Sequence, residues 1–126
     1  MTSAVARGSY YKRRSKAWLE ARGYTVAHLE RMFQVAPGRF VKRDQLGADL
    51  LAVDDRGVSF VQVKMGGATW RKRGLSSARK AFEPYPLPDG TQQVIHVWEP
   101  RARAPIVWRR VGPCDGWVGP ETEGGR

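Results

Sequence analysis

The sequence predicts an α/β fold: a single domain in which helices flank a mixed central β-sheet. Three observations lead to this class. A stripe of residues at helical spacing lies near the N-terminus. Two strand-like runs joined by a turn lie in the middle, and a shorter helical stripe followed by two more strand-like runs comes after them. Because the order is helix, strands, helix and strands, a layered sheet covered by helices is expected. A length of 126 residues suits one domain, residues 1–126.

The N-terminal part predicts a helix from about Ser9 to Arg22. Ser9 is a suitable N-cap and Gly23 is placed to end the helix. The stripe that defines it consists of Tyr11, Ser15, Trp18, Leu19 and Arg22. Residues 1–7 are expected to be a loosely ordered basic tail. Residues 24–29 predict a short first strand, and residues 33–47 predict a loop.

The middle of the chain gives the clearest strand predictions, Ala48–Val53 and Val58–Lys64. The intervening residues Asp-Asp-Arg-Gly are typical of a turn. A helix is predicted over Leu75–Phe82 and ends before Pro84. Two further strands are predicted over residues 93–98 and 106–111. Residues 112–126, rich in Gly, Pro and Glu, are expected to be a second loosely ordered tail.

The charge predicts a polyanionic partner, most simply a nucleic acid. The chain carries 22 Lys and Arg against 12 Asp and Glu, a formal charge of +10. The cations are concentrated: residues 1–44 hold ten against three acids, and residues 65–80 hold five and no acid. The plainer alternative is a solvated basic surface, or a ribosomal, RNA-associated or membrane-surface protein.

The cysteine content and the hydropathy point to a cytoplasmic setting. Cys114 is the only cysteine and forms no zinc-binding pattern with the two histidines. The sequence contains no run of 18 apolar residues and no recognisable signal peptide, so no membrane partner is expected. If a phage encodes the protein, this setting is the host cytoplasm.

The two central strands place chemically useful side chains together. Side chains alternate along a strand, so Gln62 and Lys64 project from one face, and Asp49 approaches them if the strands pair. A carboxylate, an amide oxygen and the backbone carbonyl of Val63 suit Mg²⁺, with Mn²⁺ as a possible substitute. Lys64 would orient a water or stabilise charge on a phosphate.

The alternative is structural: strand aspartates are often satisfied by backbone amides, and lysines at strand ends are usually solvated. Burial of Asp49 among apolar neighbours is costly without a partner.

These residues resemble the core pattern of the PD-(D/E)xK nuclease superfamily, an acid in one strand and Glu-x-Lys in the next. Here the acid is Asp49 and the tripeptide is Gln62-Val63-Lys64. Within the superfamily the chain resembles Holliday junction resolvases of the archaeal and phage type, with Arg7-Gly8 before the first helix and Gly23-Tyr24 at its end. The resemblance covers residues 7–111 and implies a restriction-endonuclease-like fold, Asp49, Gln62 and Lys64 as catalytic residues, and Asp49, Gln62 and Val63 as metal ligands.

Two positions depart from the resembled pattern. Lys12 stands where the family usually has a glutamate in the first helix, so a second acid would have to come from elsewhere, from Glu20, Glu30 or Asp44. Gln62 replaces the strand glutamate, and Gln-x-Lys also occurs in Mrr-type restriction endonucleases.

The resemblance further implies a homodimer that binds four-way DNA junctions and cleaves them. The expected DNA-binding residues are the basic residues around the site, Arg7, Lys12, Arg13, Arg14, Lys42, Arg43, Arg71, Lys72 and Arg73. Two alternatives stay open: a restriction- or repair-like endonuclease acting on duplex DNA, and a catalytically inactive DNA-binding module of the same fold.

Overall fold

The computed structural model describes residues 4–43, 45–66, 76–112 and 116–121. They form two helices and eight strands. The elements in chain order are α1 (Ala4–Glu20), β1 (Thr25–His28), β2 (Arg31–Ala36), β3 (Arg39–Arg43), β4 (Leu50–Asp54), β5 (Gly57–Met65), α2 (residues 76–82), β6 (Thr91–Trp98), β7 (Ile106–Val111) and β8 (Val118–Glu121).

Six strands form one mixed sheet in the order β1-β4-β5-β6-β7-β8, and β2 and β3 form a separate two-stranded sheet. Strands β5 and β6 pair in parallel, whereas the other neighbours in the large sheet are antiparallel. A parallel pair needs a crossover, and α2 lies within it. The predicted fold class, an α/β fold with a mixed sheet between helices, is confirmed.

The hydrophobic core lies in two layers, one on each face of the large sheet. On the α1 side, Leu19 packs with alternate residues of the strands, among them Leu50, Val61 and Val63. On the α2 side, Ala78 and Phe82 pack with the intervening strand residues, which include Phe60, Ile95 and Val97. The middle strands are therefore apolar on both faces, as expected for strands covered on both sides.

Helix α1 begins earlier than predicted. Its first residue, Ala4, lies inside the expected tail of residues 1–7. Its end agrees with the prediction. Gly23 has φ of 93°, and the Tyr24 amide donates to Leu19 O at 3.2 Å. This is the Schellman arrangement, in which a left-handed glycine lets the chain turn back over the last carbonyls.

The loop predicted over residues 33–47 is wrong. Strands β2 and β3 form a hairpin there, turning at Pro37-Gly38, where Gly38 has φ of 73°. The β-branched and aromatic residues on both sides of this turn favour strands, and the interspersed charges hide that preference in the sequence.

The C-terminal part also differs from the expectation of a loose tail over residues 112–126. Strand β8 pairs antiparallel with β7 and forms the edge of the large sheet. Arg109 of β7 donates to the carboxylate of Glu121 at 3.0 Å, which links the two strands through their side chains. Cross-strand pairing of this kind can hold a short edge strand that contains Gly and Pro. In the described part of the chain, neither helix has the length and apolar character needed to cross a membrane.

A buried polar cluster fixes α1 to the sheet. The Trp98 indole donates to Ser15 Oγ at 2.6 Å, and His96 Nδ1 lies 3.0 Å from the same oxygen. All three residues are almost fully buried. Burial, with smaller contributions from the charges of Arg109 and Arg22, lowers the pKa of His96 from 6.5 to about 3. The imidazole is therefore neutral in the folded protein at neutral pH.

This burial predicts a loss of stability in mild acid. Between pH 6.5 and 3 the unfolded chain takes up a proton on His96 and the folded chain does not, so falling pH favours unfolding. From pH 7 to pH 5 the wild type should lose about 2 kcal/mol more stability than His96→Gln, measured by urea unfolding. His28→Gln, at an exposed position, should behave as the wild type. Equal losses in the wild type and His96→Gln would show that His96 is not held neutral.

Candidate active site

A tight turn before β4 positions the central carboxylate. Gln45 and Ala48 bridge each other, and both residues between them have positive φ, 56° at Leu46 and 74° at Gly47. A Cβ at Gly47 would lie 2.5 Å from Ala81 O of α2. Glycine is therefore required at this point, both for its backbone angle and for its close approach to α2.

Asp49 follows this turn and immediately precedes β4. Its amide donates to Val61 O of β5 at 2.9 Å, and the next residue, Leu50, is the first residue of β4 and is paired with Val61. The Asp49 backbone is therefore held against β5 where the pairing of the two strands begins.

The carboxylate of Asp49 is buried and has partners on two elements. Oδ2 accepts a hydrogen bond from the Val63 amide at 2.7 Å, and Oδ1 lies 3.7 Å from Lys12 Nζ of α1. The residue as a whole is only 3% exposed. A backbone amide and an ammonium both favour the ionised carboxylate and offset the cost of its burial.

A second carboxylate lies beside this group. Lys12 Nζ is 2.7 Å from Glu30 Oε1, so a single ammonium contacts both acids. Glu30 lies in the connection between β1 and β2, where the Leu29 amide donates to Asp49 O at 2.9 Å. That hydrogen bond holds the residue before Glu30 against the Asp49 backbone.

Lys12 and Asp49 border a surface pocket of about 300 Å³ beside the N-terminal half of α1. Its lining residues are Gly8, Tyr11, Lys12, Asp49, Val63, Lys64 and Met65. The N–H and C=O of a strand residue point to the same edge, so the Val63 carbonyl is directed toward the edge on which its amide binds Asp49. The pocket thus brings together three of the predicted residues, Asp49, Val63 and Lys64.

Gln62 lies next to the pocket but is not one of its lining residues. It is 1% exposed, and its Nε2 donates to Gly47 O at 2.7 Å. Its Oε1 is buried and has no hydrogen-bond partner within the described residues. A buried amide oxygen without a partner is unfavourable and marks a position where a donor or a cation would be stabilised.

The oxygens at and beside the pocket are of types that suit a hard divalent cation. Asp49 has a carboxylate and Val63 a backbone carbonyl, and Gln62, which does not line the pocket, has an unpartnered amide oxygen; Mg²⁺ prefers such ligand types. No three Asp, Glu, His or Cys side chains cluster in the described parts of the chain. A metal here would therefore depend on neutral oxygens and retained waters as well as on carboxylates.

The predicted DNA-binding residues differ from one another in their surroundings. Arg13 is exposed, whereas Arg14 is packed inward: its guanidinium lies 4.4 Å from the Trp98 ring centroid and donates to Ala102 O at 2.9 Å. Lys12 is turned toward the two acids. The backbones of three others are placed in α1 and β3, namely Arg7, Lys42 and Arg43. Residues 71–73 and Asp44 lie outside the described residues.

Sequence patterns alone gave little weight to Glu30 and did not show that Tyr11 borders the pocket. Glu30 becomes apparent only once β1 is paired with β4, because His28 opposite Leu50 brings the residues that follow β1 alongside Asp49. Tyr11 is the residue before Lys12 in α1, and its ring stacks on Trp98 with centroids 6.0 Å apart. Its aromatic character alone indicated core packing.

No protein-family model matches the sequence, and no curated protein is similar to it in sequence. Among solved structures, the chain is similar to Hjc of Archaeoglobus fulgidus, a Holliday junction resolvase from an archaeal hyperthermophile. The TM-score is 0.46 and the identity is 17%, over 82% of this chain and 76% of that chain.

Gln62→Glu tests whether Gln62 belongs to a metal site. We expect the new carboxylate to strengthen Mg²⁺ binding, seen as a larger metal-induced rise in melting temperature. Gln93→Glu is a matched control, because Gln93 is 2% exposed, donates to a backbone carbonyl and also has an unpartnered Oε1. The control should lose about 1–3 kcal/mol of stability with no gain from metal. If Gln62→Glu behaves like the control, Gln62 is a structural residue.

Proposed function

We propose that the protein is a metal-dependent, structure-selective DNA endonuclease, specifically a Holliday junction resolvase. The observation that carries the proposal is the buried Asp49 carboxylate bound to the Val63 amide, in a pocket that Lys64 also borders. A net charge of +10 supports DNA as the substrate. A purely structural aspartate would not need an open pocket with a lysine on the neighbouring strand residue.

In the proposed reaction a water oxygen bonds to a DNA phosphorus, one ester P–O bond breaks, and the leaving oxygen is protonated. Asp49, Gln62 and the Val63 carbonyl would hold Mg²⁺, which when bound supplies Lewis acidity and lowers the pKa of coordinated water. Lys64 would orient the attacking water or stabilise negative charge on the phosphate. Asp49 is held in place for its role by the Val63 amide.

A homodimer is part of the proposal. Each chain offers one candidate site, whereas resolving a four-way junction requires cuts in two strands, and a two-fold symmetric pair supplies two sites. Trp98 does not belong to an exposed pairing surface. Trp98 is 1% exposed because it is enclosed by Tyr11, Arg14 and Ser15.

One contact favours a second function, a catalytically inactive DNA-binding module. Lys12 Nζ lies 3.7 Å from Asp49 Oδ1 and supplies a positive charge where a metal would otherwise be needed. In such a module the ammonium would replace the cation permanently, and the basic surface would bind DNA without cleaving it.

Asp49→Asn separates these two functions. It removes the carboxylate with almost no change in size, so Mg²⁺-dependent cleavage of a four-way junction should fall at least about a thousandfold while junction binding is kept. Lys64→Ala should also abolish cleavage. Asp54→Asn changes an acid at the opposite end of β4, in the exposed turn with Arg56, and should cleave normally.

The assay compares a four-way junction with a matched duplex, each with Mg²⁺ and with EDTA. Equal cleavage of both substrates would favour the restriction- or repair-like alternative. Cleavage by Asp49→Asn at the wild-type rate would refute the site assignment. Tight binding without cleavage by the wild type would favour the inactive module.

The dimer is tested separately by light scattering at micromolar protein concentration. We expect twice the chain mass, with the same stoichiometry when one junction is bound. A monomer both with and without junction DNA would contradict the resolvase assignment, since one chain offers a single site for the two DNA strands that must be cut.

A further inference from the structure

We propose that Lys12 is an internal cation that holds Asp49 and Glu30 together, and that a divalent metal replaces it, with Glu30 serving as the second carboxylate of the metal site. This inference rests on the proposed function. It identifies which residue takes the place of the missing acid in the first helix, and it makes the metal compete with a residue of the chain itself.

The geometry places one ammonium between two acids. Lys12 Nζ lies 2.7 Å from Glu30 Oε1 and 3.7 Å from Asp49 Oδ1. The three side chains are 23%, 12% and 5% exposed for Lys12, Glu30 and Asp49, so their charges are only partly screened by solvent. Both carboxylates are thus within ion-pair distance of the same point.

The charge balance of this trio favours a cation of higher charge. Among these three side chains, two carboxylates face one ammonium, whereas a divalent ion would carry the charge to neutralise both acids. An oxygen without a partner within the described residues, Gln62 Oε1, lies on the residue next to Val63, whose amide binds Asp49. An amide oxygen is a hydrogen-bond acceptor, so a metal ion can stabilise it and another acceptor cannot.

Lys12 has a route out of this position. It borders the same pocket as Lys64, so its flexible four-carbon side chain can turn from the acids into open space. The ammonium released in this way would lie in the pocket that a DNA phosphate enters. Lys12 could therefore contact DNA, as the sequence predicted, once a metal has taken its place.

The fold makes Glu30 a better second acid than Glu20. The Leu29 amide binds Asp49 O, which holds the backbone before Glu30 beside the site. Glu20 instead pairs with Lys16 at 3.7 Å, four residues earlier in α1, and its side chain is 49% exposed. Lys16 and Glu20 therefore provide a matched control pair of the same residue types.

The experiment is a titration of the DNA-free protein with Mn²⁺ by isothermal calorimetry. Lys12→Met should bind Mn²⁺ about tenfold more tightly than the wild type, because the competing charge is gone. Lys16→Met removes the same charge from the same helix and should change the affinity less than about twofold, since exposed charges at a distance are screened. Unchanged or weaker binding by a folded Lys12→Met would overturn the inference.

A second variant keeps the test decisive if Lys12→Met fails to fold. Glu30→Gln should weaken Mn²⁺ binding about tenfold, since a carboxylate ligand becomes a neutral amide. Glu20→Gln should leave it unchanged. Mn²⁺ binding by Glu30→Gln that equals the wild type would show that Glu30 is not a ligand and would overturn the inference.

Failure of the inference can be told apart from failure of the proposed function. If the wild type cleaves junctions with Mg²⁺ while both substitutions leave Mn²⁺ affinity unchanged, the function stands and the inference is wrong. If both substitutions shift Mn²⁺ affinity as expected but no DNA is cleaved, the metal site stands and the nuclease function is wrong. If the wild type binds no Mn²⁺, the inference is overturned.

Discussion

The burial of the Asp49 carboxylate is the constraint on which the candidate site depends. A carboxylate that is buried among apolar residues is stable only where hydrogen-bond donors or positive charges contact it. One carboxylate oxygen accepts a hydrogen bond from the Val63 amide, and α1 brings the Lys12 ammonium to the other. The pocket, the second acid and the chemistry of the site all follow from these contacts.

Helix α1 can reach the site because it is fixed elsewhere. Ser15 binds Trp98 and lies beside His96, which holds the middle of the helix on the sheet. Tyr11 and Lys12 lie one turn earlier on the same face, because residues three and four apart are neighbours on a helix. The buried polar cluster therefore sets the position of the pocket-lining residues, and a change in this cluster should be felt at the site.

The sequence was sufficient for most of the elements and for part of the site. Strand β7 was predicted at its observed bounds, and the two central strands pair as predicted, which brings Asp49 to the Val63 amide. The hairpin of β2 and β3 was missed because charges alternate with its strand-forming residues. Glu30 could not be placed at the site from the sequence, since its proximity to Asp49 depends on the register of β1 against β4 and on a lysine side chain. Short-range patterns contain neither kind of information.

The central claim is that this pocket binds a divalent cation through Asp49. The most direct measurement is anomalous diffraction from crystals of the protein soaked in Mn²⁺. The account predicts one strong peak in contact with the Asp49 carboxylate, with the Val63 carbonyl and Gln62 Oε1 turned toward it and the Lys12 ammonium displaced. An absence of any peak in the pocket at saturating Mn²⁺, with Lys12 still between Asp49 and Glu30, would contradict it.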